Sequence, residues 1–143
     1  MRKVLLVEDS VHDIELALEV FSEESIAEEV VVVKDGQQAL DFLQSASEED
    51  KTGAAPILVM LDLKLPKVGG LEVLRRIKSD PGLHDIPIVM FTSSREESDL
   101  KHSYALGANA YVVKPIDFED YIRAVRSLTE FWTEINQPPP VIV

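Results

Sequence analysis

At 143 residues, 45% of them hydrophobic and 28% charged, the chain suits one ordinary folded domain and leaves little room for a second. Its 26 acidic residues against 14 basic ones give a formal net charge of −12, a surface that repels the phosphates of nucleic acids and anionic lipids, so neither nucleic acid nor membrane is an expected partner. The absence of cysteine excludes disulfides, thiolate metal sites and cysteine nucleophiles, and fits a reducing, cytoplasmic location.

The first apolar run, Val4–Val7, stops at Glu8. That is too short for the core of a signal peptide, and it reads as a buried strand. A helix follows, with Ile14, Ala17, Leu18 and Phe21 on one face and Ser10 and Asp13 placed to cap its start. Val30–Val33 is the second strand, and Ala39, Leu40 and Leu43 mark the second helix. The polar residues 45–53, with Glu48, Glu49 and Asp50, read as a loop or a frayed helix end. The third strand spans residues 57–61 behind Pro56. The longest apolar stretch, residues 54–61, falls far short of a membrane span. Leu71, Leu74 and Ile77 mark the third helix, whose Arg75, Arg76 and Lys78 read as a solvated face. The fourth strand covers residues 86–91, and the fourth helix residues 96–106, ended by Gly107. Ala110–Val113 is the fifth strand. The fifth helix carries a continuous stripe of Phe118, Tyr121, Ile122, Val125, Leu128, Trp132 and Ile135 until Pro138, Pro139 and Pro140 forbid further helix. His12, His84 and His102 are scattered without metal-ligand spacing and read as surface residues.

Strands apolar on both faces, alternating five times with amphipathic helices, predict an α/β domain with a parallel sheet and helices on both faces. In such sheets ligands collect beyond the carboxyl ends of the strands. Glu8 and Asp9 follow the first strand, Asp62 the third, Thr92 and Ser93 the fourth, and Lys114 with Pro115 the fifth. Each residue taken singly has a plainer reading as a cap or a turn former. Their joint placement predicts three carboxylates, a hydroxyl and an ammonium on one edge. Clustered carboxylates raise one another's pKa values, and a hard divalent cation such as Mg²⁺ relieves the conflict while keeping room for phosphate oxygens. Asp62 is then a candidate nucleophile toward phosphorus, with Lys114 neutralising the transferred group and Thr92 donating to one of its oxygens.

The stretches Val4-Leu5-Leu6-Val7-Glu8-Asp9, Leu61-Asp62-Leu63-Lys64-Leu65-Pro66, Gly69-Gly70, Phe91-Thr92-Ser93 and Tyr111-Val112-Val113-Lys114-Pro115 resemble the receiver domain of bacterial response regulators, over nearly all of residues 2–130. The resemblance implies a doubly wound, flavodoxin-like (βα)5 fold with strand order 2-1-3-4-5. It implies that Asp62 is the phosphoacceptor of a two-component system. It also implies that Asp9, Asp62 and the backbone carbonyl of Lys64 bind Mg²⁺ or Mn²⁺ directly, and Glu8 through a water. Thr92 and Lys114 would contact the phosphoryl group, and Thr92 with Tyr111 would form the switch. Lys64 and Ser94 would tune the lifetime of the phosphoryl group. The Glu8-Asp9 pair departs from the family's commoner two aspartates by one methylene.

Residues 1–130 are therefore expected to form the receiver, and residues 131–143 an extended helix end and tail. With no effector domain after residue 143, output is expected through the surface of the fourth helix, fifth strand and fifth helix. Phe131, Trp132, Ile135 and the close Val141-Ile142-Val143 either pack on the protein's own fourth helix or meet a partner. The Phe131-Trp132 ending and proline-bearing tail are similar to small single-domain regulators that pair with phytochrome histidine kinases. That similarity implies a homodimer built on the fifth helix and tail. A phosphatase using an aspartyl nucleophile would need a second carboxylate two residues on, where Lys64 stands. A dinucleotide site would need glycines where Glu8 and Asp9 stand. A receiver-like binding module that works without phosphorylation remains the alternative; only self-phosphorylation and self-dephosphorylation are expected as chemistry.

Overall fold

The computed structural model describes residues 3–48 and 55–140; residues 49–53 of the expected polar loop and the close at 141–143 lie outside them. In chain order the elements are β1 (Val4–Val7), α1 (Val11–Glu23), β2 (Val30–Val33), α2 (Gly36–Glu48), β3 (Leu58–Leu61), α3 (Gly70–Ser79), β4 (Ile88–Thr92), α4 (Glu97–Ala105), β5 (Ala110–Val113) and α5 (Phe118–Glu130). The strands form one parallel sheet of order β2-β1-β3-β4-β5. Strand order therefore reverses between β1 and β3, and a crevice opens beyond their carboxyl ends.

Successive strand residues point to opposite faces, and the core divides accordingly. Leu5, Val7, Val59, Leu61, Ile88 and Met90 pack against Ala39 and Leu43 of α2 and Val73, Leu74 and Ile77 of α3. Val4, Leu6, Leu58, Met60, Val89 and Phe91 pack against Leu16, Ala17, Val20 and Phe21 of α1 and Tyr121 and Val125 of α5. β1, β3 and β4 are buried throughout, whereas the edge strands β2 and β5 are mostly half-buried.

The structure shifts several expected details. β4 begins at Ile88, two residues later than expected, because Pro87 has no N–H to give the ladder; its carbonyl still accepts from Val59 N at 2.9 Å. Residues 45–48 of the expected polar segment take the helix-end reading, since α2 continues through Glu48. On α1, Leu18 lies at the margin, 36% exposed, and Leu16 and Val20 fill the buried face instead. α4 buries only Ser103 and exposes Leu100 and Tyr104, so it rests lightly on the sheet. Gly107, at φ +105°, ends it and donates its N–H to Tyr104 O at 3.0 Å.

The stripe on the fifth helix is not one face. After Glu130 the backbone widens into a π-helical turn, Phe131–Ile135, closed by Asn136 N on Phe131 O at 2.6 Å. Trp132 consequently turns in to pack on the α1/α5 cluster, while Phe131 stands 45% and Ile135 66% exposed. At the other end Phe118 is also exposed. Arg126 ties α5 to the end of α1 through Glu23 at 2.7 Å and Glu24 at 3.3 Å.

The loop after β3 is held against the start of α2. Gly36 N donates to Pro66 O at 3.3 Å, and a Cβ on Gly36 would stand 1.8 Å from Val68 O. Backbone leaves no room for side-chain adjustment there. Gly36→Ala is expected to destabilise the protein by about 3 kcal/mol through overpacking, read as a lower urea midpoint at unchanged m-value.

Candidate functional site

The crevice beyond the sheet is lined by residues at or just past the ends of β1, β3, β4 and β5. Glu8 N still donates to Val33 O at 3.0 Å and Asp62 N to Val7 O at 3.2 Å, so both carboxylates are carried on backbone that continues the ladder. Lys114 N donates to Thr92 O at 2.7 Å, which fastens the start of the β5–α5 loop to the end of β4. Rigid strands therefore place the site and loops only complete it.

Glu8, Asp9 and Asp62 each offer a carboxylate oxygen within 4.8 Å of the others. Glu8 and Asp62 are buried, and Asp9 is exposed. The Lys114 ammonium stands among them, 2.5 Å from Glu8 Oε1 and 3.1 Å from Asp62 Oδ2. It also lies 5.9 Å from the centre of the Phe91 ring, whose face favours a cation. The other oxygen of Asp62, Oδ1, accepts the N–H of Leu63 at 2.7 Å. Thr92 is buried at the end of β4, and its hydroxyl accepts from Ser94 N at 3.4 Å, near the limit of such a bond. Lys64 lies exposed two residues after Asp62 in the same loop. Tyr111 is half-buried on β5 and donates its hydroxyl to Ser94 O at 3.0 Å. His12 is exposed near the start of α1, and His84 and His102 are exposed elsewhere.

Two groups at this edge carry more than their sequence context shows. Asp13 reads as a helix cap, yet its Oδ2 is 2.9 Å from Lys114 Nζ. Its spacing from Ser10 held the only sequence signal, and that signal points to capping. Asp99 on α4 accepts the Ser94 hydroxyl at 2.6 Å, locking the β4–α4 loop. Nothing in the spacing of Ser94 and Asp99 sets that pair apart from ordinary helix-start chemistry.

The charges explain the local pKa values. Burial pushes the Glu8 carboxyl up to about 7, against the opposing pull of Lys114. Burial alone would lower Lys114, but its bonds to Glu8 and Asp13 and the charge of Asp62 overcome this and hold it above the ordinary lysine value. One ammonium against four carboxylates leaves the edge with excess negative charge. Three hard oxygen donors, one open to water, suit a divalent cation such as Mg²⁺ or Mn²⁺, and the residues present fit that group.

Residues 4–126 match the response regulator receiver domain, and the chain belongs to that family. It is a receiver-domain response regulator of two-component signalling. It is 40% identical over 131 residues to the response regulator Rcp1 of Synechocystis, covering 92% of this chain and 88% of Rcp1. The crystal structure of Mn²⁺-bound Rcp1 superposes with a TM-score of 0.88, at 38% identity over 98% of this chain and 100% of that one. The phosphorylated cyanobacterial phytochrome response regulator RcpA also gives 0.88, at 39% identity over 96% and 98%. The bacteriophytochrome response regulator RtBRR is 49% identical over 98% of this chain and 86% of its own, with a TM-score of 0.71. No helix among the described residues is long and apolar enough to cross a membrane.

The raised Glu8 pKa predicts a pH dependence. A carboxyl whose folded value lies above its unfolded 4.5 contributes stability that is complete below 4.5 and lost as pH rises through about 7. Without divalent cation, the protein is expected to lose stability across that window relative to Glu8→Gln. Urea denaturation at both ends of the window, with chelator and then with saturating Mg²⁺, checks it. Mg²⁺ should abolish the loss.

Proposed function

We propose that Asp62 accepts a phosphoryl group from the phosphohistidine of a histidine kinase and that the resulting charge switches the β4–α4 loop. The observation that carries this reading is the Asp62 carboxylate held beside Glu8 and Asp9, with Lys114 Nζ 3.1 Å away, at the reversal point of the sheet. In the transfer, an Asp62 oxygen forms the bond to phosphorus as the bond from phosphorus to the imidazole nitrogen breaks, and the electron pair leaves with the histidine. Asp9, Asp62, the Lys64 carbonyl and, through a water, Glu8 would hold Mg²⁺ or Mn²⁺, which supplies positive charge to the transferring oxygens. Lys114 supplies a second positive charge and Thr92 a hydroxyl donor.

The switch follows from two contacts. Thr92 leaves its 3.4 Å contact with Ser94 N for the phosphoryl oxygen, and Tyr111 gives up Ser94 O as the loop moves. The equilibrium moves by as much as the rearranged loop binds the new group better than the resting one. The weak seating of α4 makes its surface the readout.

Residues 1–130 form the receiver and residues 131–143 an extension that joins two copies. Exposed Phe131 and Ile135 beside half-buried Trp132 support this contact surface. The likeness to RcpA and RtBRR supports a kinase of the phytochrome type. The net charge of −12 supports a partner other than nucleic acid, and a cytoplasmic site without turnover of outside substrates completes the reading.

Two experiments test it. With Mg²⁺ and acetyl phosphate, the protein should take up one base-labile phosphate, and Asp62→Asn should take up none; steady turnover of phosphoesters would instead indicate a hydrolase. Light scattering should show a dimer for the whole chain and a monomer for a chain ending at Glu130.

A further inference from the structure

We infer that Asp13 is a positioning residue for Lys114: it seats the ammonium while the metal ligands are engaged and competes with the phosphoryl group for it. The inference rests on the phosphoacceptor reading above. It starts from an anomaly at the start of α1. When a serine caps a helix and an acid stands three residues on, the acid ordinarily reaches back to the serine N–H. Ser10 does cap α1, accepting from Asp13 N at 3.3 Å. Its own N–H, however, goes to Glu8 Oε2 at 3.1 Å. Glu8 has taken the place of the helix acid, and the Asp13 carboxylate is free to turn into the crevice.

There it meets Lys114 Nζ at 2.9 Å. The backbone of Asp13 is held as well, because the buried Tyr121 of α5 donates its hydroxyl to Asp13 O at 3.2 Å. Tyr121 in turn packs at a tilt against Phe91, ring centres 5.4 Å apart, and Phe91 lies under the Lys114 ammonium. Asp13 is thus fixed from α1 and α5 at once, with its carboxylate aimed at one amine. It stands apart from the three acids whose oxygens cluster within 4.8 Å.

The consequence is a division of partners. Glu8 and Asp62 bond Lys114 through the same carboxylates that would serve a cation. A cation would compete with the amine for both, and like charge would drive the two apart. Asp13 supplies an acceptor at which Lys114 can stay. When the phosphoryl group arrives, the amine divides between Asp13 and the phosphoryl oxygens, and the negative charge of Asp13 opposes that group directly. Asp13 therefore helps the cation and hinders the phosphoryl group.

Opposite signs make the test. In Asp13→Asn, Mn²⁺ binding read by electron paramagnetic resonance should weaken, and beryllofluoride binding at saturating Mg²⁺ should tighten, each on the order of threefold to tenfold. The acyl phosphate of the variant should decay more slowly by a similar factor. Asp13→Glu, which keeps the charge, should move back toward wild type in all three. A role confined to capping α1 would weaken both kinds of binding together or leave both unchanged, and Asp13→Glu would then show no recovery of opposite sign; either result overturns the inference. A wild-type protein that takes neither beryllofluoride nor phosphate would instead overturn the phosphoacceptor reading, while weakened Mn²⁺ binding in Asp13→Asn would still report on the lysine seat.

Discussion

A single ammonium placed among carboxylates at the end of a parallel sheet organises this molecule. Lys114 is held by Glu8, Asp13 and Asp62, which come from the end of β1, the first turn of α1 and the end of β3. Without it, buried Glu8 and Asp62 would face each other and exposed Asp9 with no compensating charge. Burying an unpaired charge costs several kcal/mol, so the acids and the lysine must be delivered together. The sheet does this delivery: Glu8 and Asp62 continue the hydrogen-bond ladder one step beyond their strands, and Lys114 N is fixed to Thr92 O.

The same constraint leaves the site poised. The lysine relieves the carboxylates only in part, and Glu8 is still pushed upward by its burial. An edge with surplus negative charge and hard oxygen donors is suited to a divalent cation. A cation and a lysine together suit an anionic group on Asp62. Stability is thereby given up locally for a site that responds to charge, a common arrangement where function needs groups that repel one another.

The response can spread because the neighbouring elements are held unevenly. α1 and α5 are bound to each other through packed side chains and the Arg126 pairs, and α2 and α3 through the opposite core. α4 buries only Ser103 and is tied to the site through Asp99, Ser94 and Tyr111. A few hydrogen bonds hold that side where packed apolar side chains hold the others. The element most easily moved is the one whose start carries the loop that would feel a phosphoryl group.

Much of this was legible in the chain. The apolar runs are short, separated by amphipathic stretches of helical period, and end in charged or hydroxyl residues. Local pattern therefore specified five strands, five helices and the edge at which Glu8, Asp9, Asp62 and Lys114 meet; the strand order came from resemblance to the receiver family. Periodicity failed where a residue's neighbour is remote. Asp13 looks like a cap because Ser10 stands three residues before it, and its meeting with Lys114 joins positions about a hundred residues apart. The stripe through Ile135 looks continuous because an ideal helix is assumed, whereas the π turn rotates Trp132 inward and leaves Phe131 and Ile135 outside. The residue types and their spacing settled which groups would stand at the sheet edge. Which carboxylate takes the lysine, and which aromatic faces solvent, depended on contacts between distant segments, and those exist only once the chain has packed.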